Sequence, residues 1–169
     1  MKWIGISGSW RKTNKQVERD VRCEVDKILK VGNGIVSGGA LNVDFFATDE
    51  VMKLNPKCDK IKIFLPATLI LYKKHYMQRA REGVITANQA EILIKQLKEL
   101  KRKKANLVIE NVCRKSVDED GYYQRDTEVI KHSDELIAFH VNKSAGTQDT
   151  IEKAKQKGIP VKVFRYTIK

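Results

Sequence analysis

Short apolar runs ending in Gly, Ser or Pro alternate with stretches whose apolar residues recur at helical spacing, and few architectures accommodate that order. The runs are WIGIS (3–7), GIVSGG (34–39) and KIKIFLP (60–66). Between the first two, Val17, Val21, Val25 and Ile28 fall on one helical face with Leu29 beside them, until Gly32 and Gly34 stop the helix. Between the second and third, Val43, Ala47, Val51 and Leu54 repeat the pattern, which ends at Asn55–Pro56. This β-α-β-α-β order predicts a parallel sheet covered by helices. Right-handed crossovers then bring the C-terminal ends of all its strands to one edge, where ligands of such sheets bind.

Further along, TANQAEILIKQLKELKRKK (86–104) opens with Thr86 and Gln89 at capping-box spacing and carries a stripe of Ala90, Leu93, Leu97 and Leu100. ANLVI (105–109) reads as a strand, DEDGYY (118–123) as a turn, and 124–132 as a short helix. ELIAFH (135–140) is a strand, VNKSAGT (141–147) the loop after it, and 148–157 a helix ended by Gly158-Ile159-Pro160. VKVFRY (161–166) is the last strand. The expected fold is α/β, three-layered, with a mainly parallel sheet and helices on both faces.

With 169 residues, 41% of them hydrophobic, and only three prolines, the chain suits a single globular domain spanning 1–169. Its apolar runs are too short for a membrane span, and MKWIGISGSW lacks the apolar core of a leader peptide, so no membrane association and a cytoplasmic location are expected. Cys23, Cys58 and Cys113 are scattered and odd in number, which fits reduced thiols, and neither they nor His75, His132 and His140 have metal-ligand spacing, so no metal is expected. The net charge is +12, and residues 71–104 concentrate it, with ten Lys or Arg against three Asp or Glu. That is a solvated lysine-rich helix face or a patch for phosphates.

Three small, hydroxyl-rich loops follow strands: Ser7-Gly8-Ser9, leading to Arg11; Ser37-Gly38-Gly39-Ala40; and Lys143-Ser144-Ala145-Gly146-Thr147. Glycine lets a backbone approach a ligand closely, and the helix start that follows offers free N–H groups. Together the loops suit a phosphate or ribose phosphate. Neither the P-loop nor the G-x-G-x-x-G pattern occurs, which removes the ordinary ATPase and dinucleotide readings. Asp44, in the first turn of its helix, either complements the helix dipole or touches the ligand. Arg125 precedes the next strand by about ten residues and could clamp a phosphate from there.

IVSGGALNVD (35–44) together with RDTEVIKHSDELIAFHVNKSAGTQDTIEKAKQKGIPVKVF (125–164) resembles the SLOG superfamily of Rossmann-like domains. That superfamily includes the DNA-processing protein DprA, the LOG phosphoribohydrolases and molybdenum-cofactor carriers. The pattern is most similar to a small bacterial and phage branch related to YspA, with an SGGA-x-G-x-D loop, an Arg-Asn pair and a final S-x-G-T loop. The likeness covers 3–55 and 122–166; residues 67–121 read as a helical, lysine-rich insertion. It implies a nucleotide or nucleotide-derived ligand, with Gly38, Gly39, Asp44, Arg125, Ser144, Gly146 and Thr147 carried over as contacts, and a homo-oligomer, as relatives commonly form dimers. The stripe at 90–100 is a candidate dimer surface or a cover for its own sheet.

Two departures bear on activity. Asp126 stands where the branch has Asn, and Thr150 stands where the LOG enzymes carry the Glu that serves N-glycosidic cleavage. The leading expectation is binding without turnover. An N-glycosidase would need Asp44, Asp126 or Asp149 in place of that Glu. A DprA-like binder of single-stranded nucleic acid would use Lys95, Lys98, Lys101 and Arg102, with Tyr72, Tyr76, Tyr122 and Tyr123 to stack on bases.

Overall fold

A computed structural model describes residues 1–169. The strands are β1 (Trp3–Gly8), β2 (Gly34–Ser37), β3 (Ile61–Phe64), β4 (Val108–Ile109), β5 (Glu135–Val141) and β6 (Val161–Tyr166). The helices are α1 (Lys15–Lys30), α2 (Val43–Leu54), α3 (Leu69–Arg81), α4 (Ala87–Lys103), α5 (Glu119–Lys131) and α6 (Ala145–Lys157). All six strands are parallel, in the order β4-β3-β2-β1-β5-β6. The chain winds outward from β1 to β4, then crosses back to β5 on the other side of β1. The crevice between the ends of β1 and β5 is therefore the point where winding reverses.

Alternation along the strands divides the core. Ile4, Ile6, Ile35, Ile61, Ile63, Ile137 and Phe139 face one side, where they join Val17, Val21 and Val25 of α1, Val43, Ala47 and Val51 of α2, Tyr72 and Tyr76 of α3, and Leu93, Leu97 and Leu100 of α4. Leu136 and Ala138 face the other side with Ile130 of α5 and Ile151 and Ala154 of α6, and Val36 and Phe64 meet Val129 there. The stripe of α4 is thus spent on its own sheet: Ala90, Leu93, Leu97 and Leu100 are fully buried, which removes it as a dimer surface. No helix is long and apolar enough to cross a membrane.

Three local readings need correction, and a fourth gains its bounds. Within the stretch expected to be helical, residues 69–81 form a helix whose inward face is Leu69, Tyr72 and Tyr76, capped by the Thr68 hydroxyl on the Leu71 N–H. Lysines 73 and 74 and a solvent-exposed Ile70 mask that periodicity in the sequence. DEDGYY is the start of α5 rather than a turn, because Asp118 caps the Gly121 N–H at 2.8 Å and the acidic pair Glu119–Asp120 complements the helix dipole. Residues 105–109 are a turn of 3-10 helix followed by a two-residue strand. Finally, α6 begins at Ala145, so Ala145, Gly146 and Thr147 are its first turn and not a loop.

Candidate functional site

The C-terminal ends of the strands enclose a cleft of about 300 Å³ at the winding reversal. Its base is Ile6, Ser7 and Gly8 at the end of β1, continued by Ser9, Trp10 and Arg11. Gly38, Ala40 and Asp44 form one wall, and Ser144, Gly146, Thr147 and Thr150 the other. Arg125, Asp126 and Val129 enter from α5. Three residues expected at the site lie outside it. Ser37 is buried beneath the loop, where its Oγ meets the Gly39 N–H at 3.5 Å, and Gly39 itself faces the core. Asp149 points elsewhere on α6, paired with Lys153.

The 37–44 wall is tied down throughout. Gly39 has φ +64°, and a Cβ there would stand 2.7 Å from Ile63 Cγ2, so only glycine fits both the conformation and the space. Its carbonyl accepts a hydrogen bond from Tyr72 OH at 3.0 Å. A Cβ on Gly38 would meet the guanidinium of Arg125, whose Nη1 donates to the Gly38 carbonyl at 2.6 Å. Asn42, with φ 60° and ψ −106°, donates through Nδ2 to the Trp10 carbonyl at 2.6 Å and so stitches this wall to the β1 loop.

Asp44 reaches back one turn to accept from the Ala40 N–H at 3.1 Å. Burial pushes its carboxyl up to about 6, against the lowering effect of Arg125 and of the Ala40 N–H. Burial likewise raises Asp126, which Arg125 partly offsets through an Nε–Oδ1 hydrogen bond of 2.9 Å. Burial works against the Arg125 charge, yet Asp126 foremost, then Tyr72 and Asp44, hold its pKa above the usual arginine value. Arg125 is therefore a fixed cation with two donors already engaged by the protein, not the free two-pronged clamp that its sequence position suggests.

The 144–147 wall is built in the opposite way. Side chains cap α1, α3, α4 and α5 through Asn14, Thr68, Thr86 and Asp118. No side chain caps α2 or α6, the two helices that start at the cleft. Ser144 instead donates its hydroxyl to Thr147 Oγ1 at 2.9 Å, and its carbonyl meets His140 Nε2 at 3.1 Å. The first-turn N–H groups of α6 lack intrahelical partners and carry the positive end of the helix dipole. Gly146 is exposed, and a Cβ added there would meet nothing. Thr150, one turn on, faces the cleft and donates to the Gly146 carbonyl at 3.0 Å.

Sequence reasoning did not place Trp10 or Val129 at the site. Trp10 sits in a loop that carries no apolar period, and Val129 reads simply as core. Of the basic residues on α4, Lys101 is committed to Glu110 at 2.8 Å. Lys95, Lys98 and Arg102 line an open groove with Lys73 of α3, interspersed with Glu91 and Glu99.

No protein-family profile matches the sequence, and no curated protein matches it significantly. Solved structures do match. DNA processing protein A from Helicobacter pylori, described as having a single-stranded DNA binding mode, superposes with TM-score 0.68 at 20% identity, over 96% of this chain and 64% of that one. DprA from Streptococcus pneumoniae gives 0.63 at 18% identity, over 96% and 50%. The molybdenum cofactor carrier protein from Chlamydomonas reinhardtii gives 0.54 at 15%, over 96% and 76%. This chain thus spans 64% and 50% of the lengths of the two DNA processing proteins. What these identities establish is architecture: the chain has the Rossmann-like α/β fold shared by DNA processing protein A and the molybdenum cofactor carrier.

Proposed function

We propose that this chain is a SLOG-type binding domain that holds a nucleotide or nucleotide-derived ligand by its ribose phosphate and does not turn it over. The observation that carries this reading is the pairing, in one cleft, of an uncapped helix start with two buried carboxylates. The α6 first turn and the Ser7–Ser9 loop supply donors for phosphate oxygens. Asp44 and Asp126 supply acceptors for sugar hydroxyls, and Arg125 engages only Oδ1 of Asp126, leaving Oδ2 for the ligand. A site for bare phosphate would gain nothing from two carboxylates. The resemblance in the 35–44 and 125–164 segments and the shared fold support the same ligand class.

Binding without cleavage is supported by Thr150. By the resemblance it stands where the LOG enzymes carry their Glu; it faces the cleft, and its hydroxyl donates to the Gly146 carbonyl. An oxocarbenium-like transition state needs a carboxylate at the reacting carbon, which a threonine does not replace, and in this reading Asp44 and Asp126, held by the Ala40 N–H and by Arg125, serve the sugar hydroxyls instead. Asp149 is turned away to Lys153. A second reading, single-stranded nucleic-acid binding, is favoured by the groove of Lys73, Lys95, Lys98 and Arg102 and by the binding mode described for the H. pylori protein.

Titration calorimetry with ribose 5-phosphate, the four nucleoside 5′-monophosphates, inorganic phosphate and a short DNA strand separates these readings. Saturable binding of ribose phosphates, well above phosphate alone and with the nucleotide recovered intact, is the expected result. Binding of DNA alone, falling steeply with salt, transfers the function to the α4 groove. Release of free base contradicts the non-catalytic reading.

A further inference from the structure

We propose that the ribose-phosphate cleft continues into a built subsite for a planar nucleobase, walled by aromatic side chains of α3, α5 and the β1 loop. The inference rests on the ribose-phosphate reading and names the part of the ligand that lies beyond the sugar.

A second cavity, of about 310 Å³, adjoins the cleft and shares with it Trp10, Ala40, Arg125, Asp126 and Gly146. The two are chemically unlike. Small polar residues and backbone dominate the cleft, whereas Trp10, His75, Tyr76, Tyr122 and Tyr123 surround the chamber. Every nucleobase has a π-face, and stacking on aromatic rings is the usual way proteins hold one without a long apolar pocket.

The walls are held in place by contacts of their own. Tyr122 OH and His75 Nε2 share a hydrogen bond of 3.1 Å, and the His75 ring meets the Tyr76 ring edge-on at 5.8 Å. Burial lowers the His75 pKa, with Arg79 adding to the effect, so this wall is polar but uncharged at neutral pH. Tyr123 OH donates to Glu119 at 3.0 Å, and Lys153 lies 5.2 Å over the Tyr123 ring. A chamber whose rings are already fixed spends little ordering entropy on a ligand.

Arg125 joins the two compartments. Its guanidinium holds the Gly38 carbonyl on the cleft side and lies 5.2 Å from the centre of the Tyr122 ring on the chamber side. Trp10 stands at the boundary and is 36% exposed, a large apolar surface left in solvent between the two cavities. At the polar margin, Arg79 and Glu119 supply a donor and an acceptor for base edges. Much of this chamber comes from residues 75–79 and 117–119, within a segment that carries none of the motifs on which the resemblance rests.

The test compares each nucleoside 5′-monophosphate with ribose 5-phosphate by calorimetry in the wild-type protein, Tyr123→Ala and Tyr122→Phe, with melting curves on all three. Tyr123 lines the chamber but not the cleft, is half-buried, and its hydroxyl bonds only the exposed Glu119, so Tyr123→Ala retains the structure. At least one nucleotide is expected to bind the wild type on the order of ten-fold more tightly than ribose 5-phosphate. Tyr123→Ala is expected to remove most of that advantage while leaving ribose 5-phosphate within about two-fold, and Tyr122→Phe, which keeps the ring, to retain it. Equal affinity for nucleotides and ribose 5-phosphate, or equal losses in Tyr123→Ala, overturns the base subsite and leaves the ribose-phosphate reading standing. Failure of every phosphate ester to bind overturns both.

Discussion

The two walls of the cleft begin with similar sequences, SGGA and KSAGT, and end in opposite states. In the first, the Gly38 and Gly39 carbonyls, the Ala40 N–H and the Asn42 amide all have protein partners, supplied by Arg125, Tyr72, Asp44 and Trp10. Both helices lack a side-chain cap, but the Val43 N–H that opens α2 donates to the Ser9 carbonyl at 3.4 Å, whereas in the second wall the first-turn N–H groups of α6 are left free and Gly146 faces open space. Glycine serves a different need in each. Gly39 is required by backbone conformation and by the core behind it, whereas Gly146 has room for a side chain and leaves the approach to the α6 N-terminus clear. A saturated wall shapes a site; an unsaturated one is free to receive a phosphate.

The sharpest way to break this contrast is Gly39→Val. The left-handed backbone and the contacts with Ile63 and Leu65 should cost about 3 kcal/mol or more, lowering the melting temperature by roughly 10 °C. Gly146→Ala, by contrast, should leave stability unchanged or raise it by a few tenths of a kcal/mol, since alanine favours the helix. A large loss at Gly146 would erase the distinction.

The next effect is a pH dependence. Asp44 ionises near its ordinary value when unfolded and at about 6 when folded, so between these limits the native state holds a proton that the unfolded state has lost. Its contribution is present in full at low pH and is lost as pH rises through about 6, a decline on the order of 3 kcal/mol. Denaturant unfolding at pH 4 to 7.5 should show a downward slope in the wild type, relative to Asp44→Asn, across that window. Parallel profiles would remove Asp44 as the titrating group. A smaller effect belongs to Tyr72→Phe, which deletes the hydrogen bond to the Gly39 carbonyl and should cost about 1 kcal/mol.

The saturated wall was also the more legible one. Alternating strand and helix periods predict β1, α1, β2, α2 and β3, because each packs one continuous apolar face on its neighbours. The parallel sheet in turn gathers the three glycine-bearing segments at one edge. What the sequence hides depends on packing between distant segments. Asp44 and Arg125 appear as candidate ligand contacts, and their internal roles emerge only when Gly38 meets Arg125 across 87 positions. The start of α6 was misread because Ala-Gly-Thr after a strand looks like a loop, although Gly146 adopts helical backbone. The bounds and inward face of α3, inside the helical 67–121 stretch, are hidden because lysines and an exposed isoleucine interrupt its inward residues, and the aromatic chamber beside it joins three separate segments.

The most direct measurement is the affinity of ribose 5-phosphate for the wild type and for Gly146→Asp, with melting curves on both. The added carboxylate has room to project at the α6 N-terminus and suits a helix first turn, so the fold should keep its melting temperature. A phosphate seated at that helix start would meet the new charge at close range, and affinity should fall by at least about ten-fold. Equal affinity in two equally stable proteins would contradict the account, because the ligand's phosphate would then lie away from the unsaturated wall.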